Sequence, residues 1–493
     1  MDELTPLSNA TLDRLPSGIR VPRYERSDLT PGIVHIGLGN FHRAHQAWYL
    51  HRLLDEGRCH DWAIIGAGVR PYDAQMRVKM LAQDCLTTLI ELDPDGTAVE
   101  VTGSMIDYLP VEEGHGALIA QMADPAIRIV ALTVTESGYY RAADEFDSGH
   151  ADILADIANP ERPTTAFGAI VAALRQRRAK GHGPFTVQSC DNLQGNGDIV
   201  RDTVLSLAGS IDPALAEWIR SECSFPNAMV DCIVPATGPN ELELARSFGV
   251  DDKVPVTHEP FRHWVIEDDF CAGRPPWEDV GAIMTTDVHR FEAMKLRILN
   301  GGHQIVANAG DLLGLETIAE AATHPLISSM FHKVQVEEIL PQVEAVPGYT
   351  PPEYLELIEK RFANPRIVDT TRRVAYDGSS RHPGFLLPMI RERLTSRETV
   401  NGLALVEALW ARYCVGERED GSTIEANDPD WLALQERAAA THEDPSEWLG
   451  LETVYDKTVS NNEVFKRAFA GHLQRIYADG VETAIQAYLD CAT

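Results

Sequence analysis

Basic charge is scarce in this chain. It carries 43 Lys and Arg against 74 Asp and Glu, a formal net charge of −31 over 493 residues, and no basic block interrupts the imbalance. That argues against a nucleic-acid partner, whose phosphate backbone is gripped by clustered cations. Any phosphate ligand has to be held locally, by backbone N–H groups and a few cations. Long apolar runs are missing too, and nothing approaches the roughly 20 residues that a membrane-spanning helix needs. The eight cysteines, Cys59, Cys85, Cys190, Cys223, Cys232, Cys271, Cys414 and Cys491, form no CxxC pair and no Cys/His group at zinc-ligand spacing. Free, mostly buried thiols in a reducing compartment are therefore expected, and no metal site. Met1-Asp2-Glu3 is acidic where a secretion signal would be basic, so the expected location is cytoplasmic. No internal repeat or low-complexity tract occurs.

The composition present, 44% hydrophobic and 24% charged, is that of a globular protein, and the length exceeds what one core serves, so two domains are expected. Residues 1 to about 30 are polar and proline-punctuated and read as an arm on the surface of the first domain. Ile33–Gly37, Trp62–Gly66, Ile127–Leu132 and Phe185–Ser189 read as short buried strands. Helices are expected from about Phe41 to Leu54 and from Thr165 to Arg178, and an antiparallel hairpin over 85–106 around Asp93-Pro94-Asp95-Gly96. Strand–helix alternation predicts a largely parallel α/β sheet. Past about residue 285 helical periodicity takes over, near 292–314, 326–339, 352–362, 383–394, 399–415, 429–440 and 461–490. The expected fold is thus α/β: a Rossmann-like domain over 1–285, then a mostly α-helical domain over 286–493.

Lys295-Leu296-Arg297-Ile298-Leu299-Asn300-Gly301-Gly302-His303 sets an amine, an amide and an imidazole into what otherwise reads as a buried helix. Such groups are costly there unless paired or working, although a single Lys often snorkels to water and a single His is often a satisfied core residue. Gly301 and Gly302 each cost about 1 kcal/mol in a helix interior, so something is expected to approach that backbone closely. A buried Lys can take a proton near neutral pH, which marks this segment as the candidate centre of chemistry.

Gly37-Leu38-Gly39 follows a strand and precedes a helix, the setting in which a dinucleotide pyrophosphate sits. The usual third glycine is absent, position 42 being His. Asp73 is the nearest acidic residue that could hold ribose hydroxyls and repel a 2′-phosphate, and Arg70 beside it could tolerate one, so NAD is favoured and NADP stays open. Thr133-Val134-Thr135-Glu136 and Ser189-Cys190-Asp191-Asn192 lie at carboxyl ends of strands, where open α/β sheets place ligands. Asn192 could donate to an oxygen that gains charge in a transition state.

Together these segments resemble the mannitol dehydrogenase family of polyol-specific long-chain dehydrogenases and their hexuronate-reductase relatives. The resemblance runs over nearly the whole chain. It is carried by Gly37–Gln46, Thr133–Glu136 and Ser189–Leu193, then by Ser224–Asp231, Glu259–Phe261 with Trp264–Asp268, Lys295–His303 and Asp377–Ser380. Position 42 fits that pattern as it stands. What the resemblance implies is metal-independent hydride transfer between NAD(P) and a secondary alcohol or ketone. Lys295 would be the general acid/base, Asn192 and Asn300 would polarise the substrate oxygen, and His303 would orient the substrate. Asp231, Arg373 and Arg381 would contact the rest of the substrate, and Glu292 would relay the proton. Gly37, Leu38, Gly39, Asn40, Phe41, Arg70, Asp73, Thr135 and Glu136 would line the cofactor. Two positions depart from the pattern: Cys232 stands where Arg commonly follows the Val-Asp pair, and Arg381 where several members carry Lys, exchanging a point charge for a planar fork.

The expected activity is oxidation of a sugar alcohol to a 2-ketose, of the D-mannitol to D-fructose type, and its reverse, with D-arabinitol and D-sorbitol as further candidate substrates. Reduction of a keto-uronate such as D-fructuronate is the alternative, because Arg372, Arg373 and Arg381 could pair with a carboxylate. A non-catalytic dinucleotide sensor is a third reading, disfavoured by the presence of Lys295 and Asn300.

Overall fold

A computed structural model describes residues 4–142 and 145–491. They divide into two compact units, Met1–His289 and Arg290–Thr493.

The first unit is organised by five parallel strands, β1 (Pro31–Ile36), β2 (Ala63–Ala67), β3 (Met105–Tyr108), β4 (Ile129–Leu132) and β5 (Thr186–Ser189), in the order β5-β4-β1-β2-β3. Because side chains alternate across a strand, the two faces separate cleanly. Val34, Ile36, Val130, Leu132 and Val187 join one core, with Phe167 and Leu174 of the helix Ala166–Ala179 and Val200 and Val204 of the helix Asn196–Ile211. Ile33, Ile64, Ile129 and Ala131 face the other, with Leu50 and Leu53 of the helix Gln46–Asp55 and the indoles of Trp264 and Trp277. Helices on both faces of a parallel sheet are the doubly wound arrangement expected of an α/β chain. The hairpin forms as Thr87–Asp93 paired with Gly96–Thr102, and Val256–His258 adds to it in parallel. A further small sheet joins Ala228–Asp231, His263–Glu267 and Ile283–Thr285.

Three local expectations are corrected. The helix from Phe41 is two, Asn40–Ala44 and Gln46–Asp55, because His45 leaves helical geometry (φ −116°, ψ −91°) to bury its ring, with Nε2 at 3.2 Å from the His263 carbonyl. The N-terminal arm is not merely laid on the surface: Thr5–Pro6 pairs in parallel with Val250–Asp251, and Leu7, Leu15, Ile19 and Leu29 are buried. The last predicted helix is broken at Gly480 (φ +87°) into Glu463–Asp479 and Val481–Asp490.

The described residues of the second unit are helical, and the last strand of the chain among the described residues, Ile283–Thr285, precedes it. The helix Asn401–Tyr413 is its core, buried on nearly every side. Inside lies a closed polar network. His382 Nδ1 meets Glu407 Oε1 at 2.9 Å, the Tyr455 hydroxyl donates to Glu407 Oε2 at 2.5 Å, and Trp448 Nε1 donates to that hydroxyl at 2.9 Å. With Nδ1–H committed to the carboxylate, His382 Nε2 is left to accept from Asn308 Nδ2 at 3.3 Å. Groups so buried are tolerated because each meets a partner.

Among the described residues no helix is long and apolar enough to cross a membrane. All eight cysteines are free thiols, and only Cys271 and Cys491 are exposed.

Glu338 supplies a test. Its carboxylate takes the N–H groups of Gly402 (2.6 Å) and Leu403 (2.9 Å) at the start of the core helix, and burial raises its pKa to about 7. A carboxyl raised in the folded state keeps its proton after the unfolded chain has lost its own, so stability falls as pH rises from about 4.5 to about 7. Thermal melts across that window are expected to show a larger loss for wild type than for Glu338→Gln.

Candidate active site

In the first unit Gly37–Phe41, Thr135 and Glu136 follow β1 and β4, the strands between which the chain order of the sheet reverses, while Arg70 and Asp73 follow β2 and Asn192 follows β5. β1 ends at Ile36, and Gly37 turns the chain with φ +90°. A Cβ there would lie 2.1 Å from the Thr133 carbonyl oxygen, so no other residue fits. Thr133 closes the pair by donating its hydroxyl to the Gly37 carbonyl at 2.6 Å. Leu38 is buried, whereas a Cβ on Gly39 would meet nothing within 4 Å; at this turn the backbone borders open space.

His42, in the place of the third glycine, is fully buried and stacks on His35 with centroids 3.4 Å apart. Its Nδ1 lies 3.0 Å from Gln46 Oε1, and Gln46 donates to Cys190 Sγ at 2.7 Å. Burial pushes the His42 pKa down to about 3 and that of His35 well below its ordinary value, so the stack is neutral. Asn40 turns its amide inward, to the Pro235 carbonyl at 2.8 Å and the Thr237 hydroxyl at 2.9 Å. Half-buried Phe41 stacks on His45. Past β2, Asp73 Oδ2 accepts the N–H groups of Val69 and Arg70, both at 2.9 Å, shaping the turn and leaving Oδ1 outside these two bonds. Arg70 is exposed.

After β4 the chain makes an unusual turn. Thr135 has φ +64° and ψ +166°, a region essentially reserved for glycine and costing on the order of 1–3 kcal/mol. Asp191 secures it: Oδ2 accepts the Val134 N–H at 3.0 Å and the Tyr139 hydroxyl at 2.6 Å, and Oδ1 accepts the Thr135 N–H at 2.9 Å. Thr135 and Glu136 are exposed, as is Asn192, the neighbour of Asp191. Asn196 extends the frame. Its Nδ2 donates to the Asp191 carbonyl (3.0 Å) and the Ala228 carbonyl (2.7 Å), and its Oδ1 accepts the Ala228 N–H (2.9 Å). Asn227 Oδ1 caps the helix Asn196–Ile211 through the N–H groups of Gly197 and Asp198. The strand Ala228–Asp231, which ends on buried Asp231, is thereby fastened to the turn that carries Asn192. Sequence reasoning passed over the framing roles of Asp191, Asn196, Asn227 and Tyr139; the place of Asp191 beside Asn192, after a predicted strand, was the available signal. Cys232 is half-buried, with Sγ 4.0 Å from the Ile233 carbonyl.

In the second unit Lys295–Asn300 is a π-helical stretch between His289–Met294 and Gly301–Leu312, marked by the Gly301 N–H donating to the Leu296 carbonyl five residues back. Lys295 and Asn300, the ends of that wide turn, are both buried, as is Glu292 before it. Half-buried His303 stacks on Phe362 with centroids 4.3 Å apart. Such turns recur at functional sites, and periodicity could not reveal this one. What approaches Gly302 is a neighbouring helix: a Cβ there would stand 2.8 Å from the Phe331 ring and 3.0 Å from Gln335 Nε2, while one on Gly301 would meet Met389 and Leu386 at 3.3 and 3.4 Å. Gln335 opens a second π stretch, Gln335–Ile339, and donates to the Ile298 carbonyl at 2.9 Å, which ties the two wide turns together. Arg373 is engaged in a two-pronged pair with Asp369, with Nε to Oδ1 at 2.6 Å and Nη2 on Oδ2. Arg372 donates to the Glu425 and Ala426 carbonyls, and Arg381 to the Val374 carbonyl at 2.6 Å.

Comparison with known proteins gives a consistent result. Residues 31–279 match the model of the mannitol dehydrogenase Rossmann domain, and residues 287–477 that of the mannitol dehydrogenase C-terminal domain. The chain is 54% identical over 469 residues to a mannitol 2-dehydrogenase of Cereibacter sphaeroides, covering 95% of this chain and 98% of that one. It is 39% identical to one of Aspergillus terreus, covering 96% of each. Among solved structures it resembles the Pseudomonas fluorescens mannitol 2-dehydrogenase ternary complex with NAD and D-mannitol (TM-score 0.87, 38% identity, 99% of this chain and 100% of that one). It also resembles a substrate-free D-sorbitol dehydrogenase (TM-score 0.90, 34% identity, 97% and 100%).

Gln335→Met keeps the volume but strips the Ile298 carbonyl of its second-helix donor. The variant is expected to lose about 1–3 kcal/mol of stability, read as a lowered denaturation midpoint with helical circular dichroism unchanged.

Proposed function

The chain belongs to the mannitol dehydrogenase family, and from that premise we propose that it oxidises D-mannitol to D-fructose, and catalyses the reverse reduction, with NAD as cofactor. The observation that carries the reading is the π turn that buries Lys295 and Asn300 at its two ends, in a chain 54% identical to a mannitol 2-dehydrogenase over 95% of its length. The Gly37–Phe41 turn suits a dinucleotide because Gly37 admits no side chain while Gly39 borders open space; this turn, with Arg70, Asp73, Thr135 and Glu136, would hold it. When bound, NAD supplies the acceptor for the hydride that leaves the carbinol carbon.

The chain's own groups manage the oxygen and its proton. Lys295 takes the hydroxyl proton at Nζ as the carbon–hydrogen bond breaks, and Glu292 passes that proton onward. The side-chain amides of Asn192 and Asn300 donate to the substrate oxygen, which gains negative charge on the way to the ketone. His303 orients the reacting end; Asp231, Arg373 and Arg381 meet hydroxyls further along. In the reverse direction protonated Lys295 returns the proton. The free thiols support a reducing, cytoplasmic setting.

A keto-uronate would need an arginine fork for its carboxylate. Arg372, Arg373 and Arg381 all already donate to acceptors of the protein itself, Arg373 to a full carboxylate, which favours a neutral polyol. Initial rates of nicotinamide absorbance across D-mannitol, D-arabinitol, D-sorbitol, D-fructose and D-fructuronate, with NAD and NADP, test this. Fastest turnover is expected with D-mannitol and NAD, and activity confined to fructuronate would replace the reading. Lys295→Ala should lower kcat by roughly 10²–10⁴, the share a positioned acid/base contributes, with NADH binding retained. Asp73→Ala should narrow the preference for NAD over NADP in kcat/KM; unchanged discrimination would remove Asp73 from the ribose contact.

A further inference from the structure

We infer that Asp191 is a positioning residue for cofactor binding, acting through the backbone of Val134 and Thr135 and touching neither cofactor nor substrate itself. The inference rests on the proposed function, in which the β1–β4 end of the sheet receives a dinucleotide.

Three observations carry it. First, Thr135 is held at φ +64°, ψ +166°, where a β-branched residue stays only if its surroundings impose it. Second, the imposing group is one carboxylate: both of its oxygens are spent on the Val134 and Thr135 N–H groups and the Tyr139 hydroxyl. Tyr139 is itself buried and shares its hydroxyl with Ser189 Oγ at 2.6 Å. Third, Asp191 is fixed from behind. Its N–H lies 3.2 Å from Ser189 Oγ as donor, and its carbonyl accepts from Asn196. The carboxylate is therefore a rigid template at the carboxyl end of β5 on which the segment after β4 is shaped.

That segment has a specific consequence for binding. With the Val134 and Thr135 N–H groups turned inward onto Asp191, exposed Thr135 and Glu136 stand in one fixed conformation beside the Gly37 turn, which is bonded to Thr133. A loop held in its binding shape loses less entropy when it meets a ligand. Burial raises the Asp191 carboxyl above the ordinary carboxylate range, and its donors oppose the rise, as befits a group whose use is geometric.

Asp191→Asn keeps the shape but turns one acceptor oxygen into a donor, which cannot receive an N–H. Titration of the apoprotein with NADH, followed by nicotinamide fluorescence, should show a dissociation constant raised at least about tenfold, a loss of roughly 1.4 kcal/mol. At saturating NADH the kcat for D-fructose should change far less. The diagnostic partner is Thr135→Gly in the Asp191→Asn background: glycine adopts the required angles without strain, so much of the NADH affinity should return although no hydrogen bond does. Unchanged NADH affinity in Asp191→Asn, or a loss that Thr135→Gly fails to recover, would overturn the inference. A denaturation midpoint measured alongside separates lost folding from lost shape. Wild-type protein that bound no NADH would overturn the proposed function, and this inference with it.

Discussion

The first unit depends on the parallel pairing of β1 with β4, two strands separated by most of a hundred residues and joined so tightly that only glycine can follow β1. From β1 the sheet grows one way through β2 and β3; from β4 it grows the other way to β5. Connections leaving these two strands therefore diverge, and the opening at their carboxyl ends follows from topology. Within that opening the contact of the Gly37 backbone with the Thr133 carbonyl sets the distance between the two loops. Their shapes then follow from what buries beneath them: a neutral histidine stack under one, an aspartate under the other.

The second unit solves a different problem, that of keeping polar side chains inside a helical core. Gln304, Asn308 and Asp311 recur at helical spacing along Gly301–Leu312 and are all buried. Each is answered from another segment: Gln304 donates to the Val374 carbonyl, Asn308 to His382, and Asp311 receives Arg418 at 2.6 and 2.7 Å. Such a lattice sacrifices some stability relative to an apolar core but defines a single register. It fixes the segment that follows the π turn, so the wide turn cannot relax by sliding along its own axis.

How much of this was legible in the sequence depends on the range of the interaction involved. Four of the five sheet strands, the hairpin and the helical second half follow from local periodicity, with β1, β2, β4 and β5 falling where the apolar runs lie. β3 escaped, read as the tail of the hairpin, because Met105–Tyr108 looks the same whether it pairs with a hairpin or with β2. The helices Asn196–Ile211 and Pro213–Glu222 are not among the expected elements, because glycine, aspartate, serine and proline blur their apolar spacing. Lys295, Asn300 and Gly302 stood out as polar or flexible residues among apolar ones, yet the π geometry depends on Gln335, some forty residues on, and no window contains both. Arg373 was visible as a cation; that Asp369 already occupies its fork is a matter of rotamers. Asp191 was overlooked for a similar reason, since its role lies in amide groups that any residue at 134 and 135 would present.

The placement of the cysteines has a practical side. Six of the eight thiols are shielded to some degree, Cys85, Cys190 and Cys414 deeply so, and the two exposed ones fall one in each unit, Cys271 in the first and Cys491 in the second. The unaltered polypeptide thus carries a natural pair of chemical handles, onto which dyes can be coupled without engineering. Each unit offers one place at which a reporter dye can sense its own surroundings during turnover.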